Sequence, residues 1–311
     1  MTIPVFENLQ DIKLTSATPV VLTVGTFDGV HLAHQALFRE TIAHARKLGG
    51  VAAVLTFQNH PRSVIAPGYE PALITDWPTK RELILAQGID LLAGIAFDEA
   101  LSQLPAEQFI ADIIAEKFGA CAVMSGPAFH FGHRGAGSPA LLEELSGKYG
   151  YAYMRQEPIS LHGSKVSSTL IRETLDLGDV ALAAELLGRP HRNHGVVVRG
   201  DGIGRTIQFP TANMQLQQDV LIPPRGVYAV RVTDASGATH AGMMNIGWRP
   251  TVGGKELRNE IHLLDFSGDL VGQQLRVDYI KRLRDEKKFD GLDALREQLN
   301  HDREAARVAL T

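Results

Sequence analysis

Cysteine is almost missing from this chain. Cys121 is the only one in 311 residues, which excludes an internal disulfide and leaves no thiolate set for a zinc ribbon or an iron–sulfur cluster. A reducing cytoplasm suits such a protein. An excess of positive charge is missing as well: the formal net charge is −4, so the broad basic footprint of a duplex nucleic-acid binder is absent. No apolar run approaches the length needed to span a bilayer, and "MTIPVFENLQ" carries no cleavable-signal pattern. Internal repeats and low-complexity tracts are lacking too. What remains is ordinary for a protein with real cores, 44% hydrophobic and 21% charged residues, and the length predicts two domains.

Two rhythms divide the chain. From Val20 to about Tyr153, the apolar runs "VVLTVG", "VAAVLTF", "LLAGIAF", "ACAVMSG" and "YAYMRQ" alternate with helical patterns such as "HQALFRETIAHARKLGG" and "AEQFIADIIAEKFG". Hydrophobicity that is continuous rather than alternating predicts strands covered on both faces, hence an α/β parallel sheet. Gly49, Gly88 and Gly119 each follow a helical pattern where a left-handed cap is wanted.

After "VSSTLIRETLDLGDVALAAELLGRP" the texture becomes strand-like: "HGVVVRG", "GVYAVRVTDASGATHAGMMNIGW", "NEIHLLDF" and "QQLRVDYIKRL", with hairpin signals at "DASG" and "FSGD". A small antiparallel β-barrel is expected. A last helix should close it from about Asp290, with Leu292, Leu295 and Leu299 on one face. Gly188, Pro190 and the polar "HRNH" place the junction near Gly188–His194, which divides the chain into residues 1–187 and 188–311.

"TVGTFDGVHLAHQALF", Thr23–Phe38, reads as strand, tight turn and helix, with His31 and His34 in the first helical turn. Unpaired amides and the helix dipole favour an anion there, and residues three apart share a face. Two solvated histidines would give the same pattern. "SSTLIR", Ser167–Arg172, opens another helix with hydroxyls at its cap and an arginine one turn in, which is a phosphate clamp or an ordinary N-cap. Together the two stretches resemble the "GxFDGxHxGH" and "SSTxIR" signatures of the nucleotidyltransferase superfamily. Downstream, "GDGIGRTIQFPTANM", "RGVYAVRV", "NIGWRPT", "NEIHLLDF" and "RLRDEKKF" are similar, in order and spacing, to the riboflavin kinase module. From about Val20 to Asp302 the chain resembles the bifunctional bacterial riboflavin kinase and FAD synthetase family.

That resemblance implies a Rossmann-like nucleotidyltransferase domain followed by a riboflavin kinase barrel with a C-terminal helix. Riboflavin is phosphorylated by ATP to FMN, and FMN is adenylylated by a second ATP to FAD. Glu260 is the expected proton acceptor. Because Glu260 and His262 share one face of a strand, the carboxylate would be aimed into the barrel mouth; a solvated strand carboxylate is the plainer alternative. Thr211 and Asn213 of "PTAN" are the expected Mg²⁺ and phosphate residues, and Gly200, Gly202, Gly204 and Arg205 would approach the kinase ATP. In the α/β half, Gly25, Phe27, His31, His34, Ser167, Ser168, Thr169 and Arg172 would hold the second ATP. His31, His34 and Arg172 would neutralise its triphosphate without a covalent intermediate. Phe57, Phe131 and Arg284 are the expected flavin contacts, with Phe57 equally readable as core. Asp28 is expected to shape its turn through an Asx bond.

The expected partners are riboflavin, FMN and ATP, with no nucleic acid and no membrane; self-association is left open. Four positions depart from the family pattern. Ala33 stands for the glycine of "HxGH", Ala128 for an acid or amide, His130 for an arginine, and Gln208 for a glycine before "FPTAN". These leave the kinase assignment mostly intact and keep two alternatives open, a kinase with an impaired adenylyltransferase half and a non-catalytic flavin-binding regulator.

Overall fold

The structure, a computed structural model, describes residues 3–14, 18–200, 209–217, 219–251 and 254–311. It divides into two compact units, Met1–Ser168 and Thr169–Thr311.

In the first unit, β1 (Val5–Phe6), β2 (Val20–Val24), β3 (Val51–Phe57), β4 (Leu91–Ile95), β5 (Ala120–Ser125) and β6 (Ala152–Arg155) form a parallel sheet in the order β1-β4-β3-β2-β5-β6. Every residue of β2 and β4 is buried, as continuous apolar strands require. Val20, Leu22 and Val24 face one core and Val21 the other. Sequence periodicity anticipates five of these strands; β1 is too short to show a period and joins the edge by pairing Val5 with Leu92. The connecting helices are α1 (Leu32–Lys47), α2 (Arg62–Ile65), α3 (Trp77–Leu85), α4 (Glu99–Gln103), α5 (Ala106–Gln108), which continues as a π-helix over Phe109–Lys117, and α6 (Pro139–Tyr149). A small hairpin, β7 (Ser160–Leu161) with β8 (Ser164–Lys165), follows. Gly49, Gly88 and Gly119 adopt φ of 62°, 86° and 54°, the left-handed caps that the pattern predicts. The chain steps outward from β2 to β3 and β4, then restarts on the other side of β2 with β5. That reversal falls between β2 and β5, and α/β sheets bind ligands at the carboxyl ends of strands that flank such a switch point.

The helix α7 (Ser168–Asp176) leads into the second unit and α8 (Val180–Leu187) follows it. Strands β9 (His191–Val198), β10 (Ala212–Leu216), β11 (Gly226–Thr233), β12 (Thr239–Thr251), β13 (Gly254–Leu263) and β14 (Gln274–Arg284) close a barrel in the order β10-β13-β12-β11-β14-β9. Paired residues Tyr228, Met244 and Ile261 point inward, as do Val230 and Tyr279, and all five are fully buried. The barrel is therefore filled by its own side chains. A last helix, α9 (Leu292–Leu310), covers part of the outer face through a core of Phe209, Val227, Ala229, Met243, Leu264 and Ala306, onto which Leu295 and Leu299 pack.

Contacts group the chain at Ser168/Thr169, α8 packing on β14 and β9; this grouping does not bear on the functional division at 187/188. Three expectations change. The "HRNH" stretch is not a linker but the start of β9; its His191 and Asn193 point inward, each bonded to the Leu221 carbonyl, at 2.8 and 3.3 Å. "FSGD" joins β13 to β14, which are not neighbours in the barrel, so it is no hairpin. Leu292 is 61% exposed and lies off the packed face of α9.

Candidate active sites

In the α/β unit, β2 ends at Val24 and the chain turns through Gly25–Val30 into α1. Phe27 and Val30 hold φ of 50° and 42°, a region that non-glycine residues rarely adopt and a β-branched one least of all. The turn is clamped from outside. The Asp28 carboxylate accepts the Ile74 and Thr75 amides, each at 3.0 Å, and the Gly29 amide donates to Thr75 Oγ1 at 3.1 Å. Asp28 thus fixes the turn to a distant segment, in addition to whatever local shaping its residue type suggests. His31 caps α1: its Nδ1 accepts the His34 amide at 3.4 Å, and the two imidazoles stack with centroids 3.5 Å apart. The edge of Phe27 meets the His34 ring at 5.1 Å. His34 Nδ1 is buried with no hydrogen-bond partner among the described residues. Burial, then His31 and then Lys80, hold the His34 imidazole well below its ordinary range, so it is neutral at pH 7. Lys80 is the residue that motif reasoning misses. It is buried, its Nζ donates to the carbonyls of Thr26 (3.1 Å) and Phe57 (2.5 Å), and desolvation lowers its pKa to about 8 against the opposing pull of Asp28.

The second motif meets the first. Ser168 Oγ donates to the Asp28 carbonyl at 3.0 Å, which joins the start of "STLIR" to the "TFDG" turn. Ser167 is half-buried beside it, Thr169 is exposed, and Arg172 lies half-buried one turn along α7. Gln156, another residue with no motif signal, donates to the Ala33 carbonyl at 3.1 Å and anchors the first turn of α1.

On the barrel, burial decides which face carries the chemistry. Asn259, Ile261 and Leu263 of β13 are buried, whereas Glu260 and His262 are half-exposed. Glu260 therefore stands on the outer face, not in the barrel mouth that strand alternation alone suggested. It pairs directly with Asn213 of β10 on one side and Asn245 of β12 on the other. Residues opposed in this way lie about 5 Å apart at Cβ, so a carboxylate sits between two amides. A Cβ on Gly200 would collide with the Asn213 amide, and one on Gly247 would collide with Glu286; these glycines let two loops close on the row. Glu286 accepts the Trp248 amide at 3.3 Å and pairs with Arg225 at 3.2 Å. His262 Nδ1 meets the Pro210 carbonyl at 2.9 Å, and its ring lies 5.1 Å from Phe209, which Arg303 covers from α9 at 5.5 Å. This fixes the "PTAN" segment, in which Thr211 is exposed and Asn213 half-buried. Gly202, Gly204, Arg205 and Gln208 lie outside the described residues.

Comparison with known proteins assigns each half. A riboflavin kinase family model matches residues 187–310 and an FAD synthetase model matches residues 13–170. The protein named bifunctional riboflavin kinase/FMN adenylyltransferase in Haemophilus influenzae is 36% identical, with 92% of this chain and 93% of that one aligned. The proteins of that name in Escherichia coli and Bacillus subtilis are each 37% identical, over 92% of this chain and 91% of theirs. The chain belongs to the bifunctional riboflavin kinase/FMN adenylyltransferase family. Its fold is shared, at a TM-score of 0.88 and 31% identity over 97% of this chain and 98% of the other, with a crystal structure described as a macrolide-efflux protein from Streptococcus pneumoniae. Among the described residues, no helix is long and apolar enough to cross a membrane.

Two of the expected flavin residues of this family member are buried, which for Phe57 is the core reading that the sequence left open. Phe57 and Phe131 are 8% and 7% exposed and belong to one sheet-face core. Their ring neighbours Phe97 and Phe129, at 5.2 and 5.3 Å, are only partly buried. Arg284 forks onto Asp302 of α9, Nε to Oδ1 at 2.9 Å and Nη2 to Oδ2 at 2.7 Å. Ala128 and His130 of the departing loop are both exposed.

Proposed function

We propose that the two halves act in succession. The barrel transfers the γ-phosphate of ATP to the ribityl 5′-hydroxyl of riboflavin, giving FMN and ADP. The α/β half then joins the FMN phosphate to the α-phosphorus of a second ATP, giving FAD and releasing pyrophosphate. The observation that carries this is the fall of two family models on two separate architectures, each with its own cluster of polar groups.

In the kinase step Glu260 takes the proton of the attacking hydroxyl while Asn213 and Asn245 hold the carboxylate between them. The Thr211 hydroxyl and the Asn213 amide oxygen are hard donors that would hold Mg²⁺, and the ion when bound would supply charge neutralisation for the transferred phosphoryl group. Gly200, with Gly202, Gly204 and Arg205, borders the ATP. Arg284 serves riboflavin by keeping α9 against the barrel.

In the adenylyl step no side chain need be a nucleophile. Gly25 and Phe27 shape the turn, Ser167, Ser168 and Thr169 offer hydroxyls, and His31, His34 and Arg172 hold the triphosphate. Arg172 is assigned by its motif. In this reading residues 1–187 serve adenylylation and 188–311 phosphorylation, so α7 works with the first function although it packs with the second unit. Phe57 and Phe131 back the aromatic surface that meets the flavin. The reactions belong in the cytoplasm, in keeping with the free thiol of Cys121.

One assay tests all of this: riboflavin is incubated with Mg-ATP, and FMN and FAD are resolved chromatographically. Both should form, FMN first. Exposed Ala128, where the family has a polar group, favours one competing outcome, FMN without FAD, which would leave a kinase alone.

A further inference from the structure

We propose that Lys80 is a positioning residue for adenylyl transfer, its ammonium pinning the ends of β2 and β3 together beneath the turn that receives the triphosphate. This role presupposes that the α/β half makes FAD.

The turn Thr26–Val30 holds two non-glycine residues at positive φ, and such strain persists only when the surroundings over-determine it. One segment, Ile74–Lys80, supplies the restraint on both sides of Phe27. Ile74 and Thr75 clasp the Asp28 carboxylate, and Lys80 takes the Thr26 carbonyl together with that of Phe57. The segment is itself fixed. Asp76 caps α3 by accepting the Thr79 amide at 2.9 Å, and the Trp77 ring fills the space over Gly94 that any Cβ would occupy. A lysine only 2% exposed is a costly way to fill space, since a methionine would occupy the same volume without desolvating a charge. What methionine lacks is directed donors for two strand-end carbonyls and a positive charge near an anion site. The charged and titratable groups that bear on Lys80 are Asp28 from the turn and His34, stacked on His31, from α1. His34 is held low and titrates on the acid side, so loss of the ammonium proton should mark the alkaline limb of FAD synthesis near the lysine's pKa of about 8.

Lys80→Met and Lys80→Arg are made in the full chain. Riboflavin phosphorylation is the internal control, thermal unfolding reports folding, and FAD formation from FMN and Mg-ATP is followed from about pH 6 to about pH 9.5. Lys80→Met should keep kinase activity while kcat/KM for ATP in FAD synthesis falls at least about tenfold. Lys80→Arg should restore part of the rate and carry the alkaline limb to higher pH. A folded Lys80→Met within about twofold of wild type, or an alkaline limb identical in wild type and Lys80→Arg, overturns the role. If Lys80→Met fails to fold, the comparison of wild type with Lys80→Arg decides alone. A wild-type chain that makes no FAD defeats the reading of the whole half; wild-type activity with Lys80→Met unimpaired defeats only the role of Lys80.

Discussion

Among the described residues, replacing Arg284 with methionine leaves Asp302 with one remaining side-chain donor, Gln298 Nε2 at 2.9 Å. The Asp302 side chain is 4% exposed and Arg284 19%, so solvent does little to screen the stranded charge. Breaking a buried pair on one side typically costs about 3–5 kcal/mol. At about 2.1 cal/mol/K per residue over Thr169–Thr311, the unfolding entropy is about 0.3 kcal/mol/K, and a loss of ~3 kcal/mol lowers the melting point by roughly 10 °C. Calorimetry of the full chain reads this, the barrel transition being the one that riboflavin with ADP shifts upward. FAD formation from added FMN should be unaffected below that transition. The double replacement Arg284→Met with Asp302→Leu should recover most of the loss, because an apolar pair leaves no charge unpaired. A single-variant cost under about 1 kcal/mol, or a double variant no better than the single, would refute the buried-pair account of how α9 is held.

The other expectations concern the two chemistries. Glu260→Gln should lower FMN formation by about 10²–10⁴-fold while FAD formation from added FMN continues; normal phosphorylation would remove Glu260 from the mechanism. Gly200→Ala, which drives a methyl into the Asn213 amide, and Asn213→Asp, which sets a negative charge beside phosphate, should both weaken ATP use in the kinase step, the charge change more severely. Unchanged ATP dependence in initial rates would sink that assignment. His31→Ala or His34→Ala should slow FAD formation about ten- to two-hundredfold and let FMN accumulate. Because folded His34 stays neutral while the unfolded imidazole binds a proton below about pH 6.5, the α/β half should lose stability as pH falls through that value, and His34→Ala should blunt the loss. Equal acid sensitivity in the two proteins would show that another group is responsible.

How much of this was legible beforehand depended on whether local pattern and burial agree. The β2–turn–α1 unit was plain, since five continuous apolar residues, a glycine-bearing turn and a helical period all point one way. The barrel's β9 was misplaced because His191 and Asn193 spend their polar atoms on the Leu221 carbonyl inside it, and polarity reads as exposure. Turn chemistry at "FSGD" was real, yet a turn does not say which strands pair. Lys80 carries no motif; on α3 it looks like any solvated lysine until the strand ends that it caps are in place. The faces of β13 were correctly separated by alternation, but alternation does not say which face is inside.

The catalytic carboxylate proposed here is displayed on a wall rather than enclosed, and parity follows from that. A single residue inserted ahead of Glu260 in β13 would turn the carboxylate into the space held by Tyr228 and Tyr279, and would turn Ile261 out to water. Two inserted residues would return a side chain to the outer face with its neighbours merely shifted along. The parity of β13 ahead of Glu260 thus switches the kinase row between wall and core, and within the strand an insertion of two is a milder event than an insertion of one.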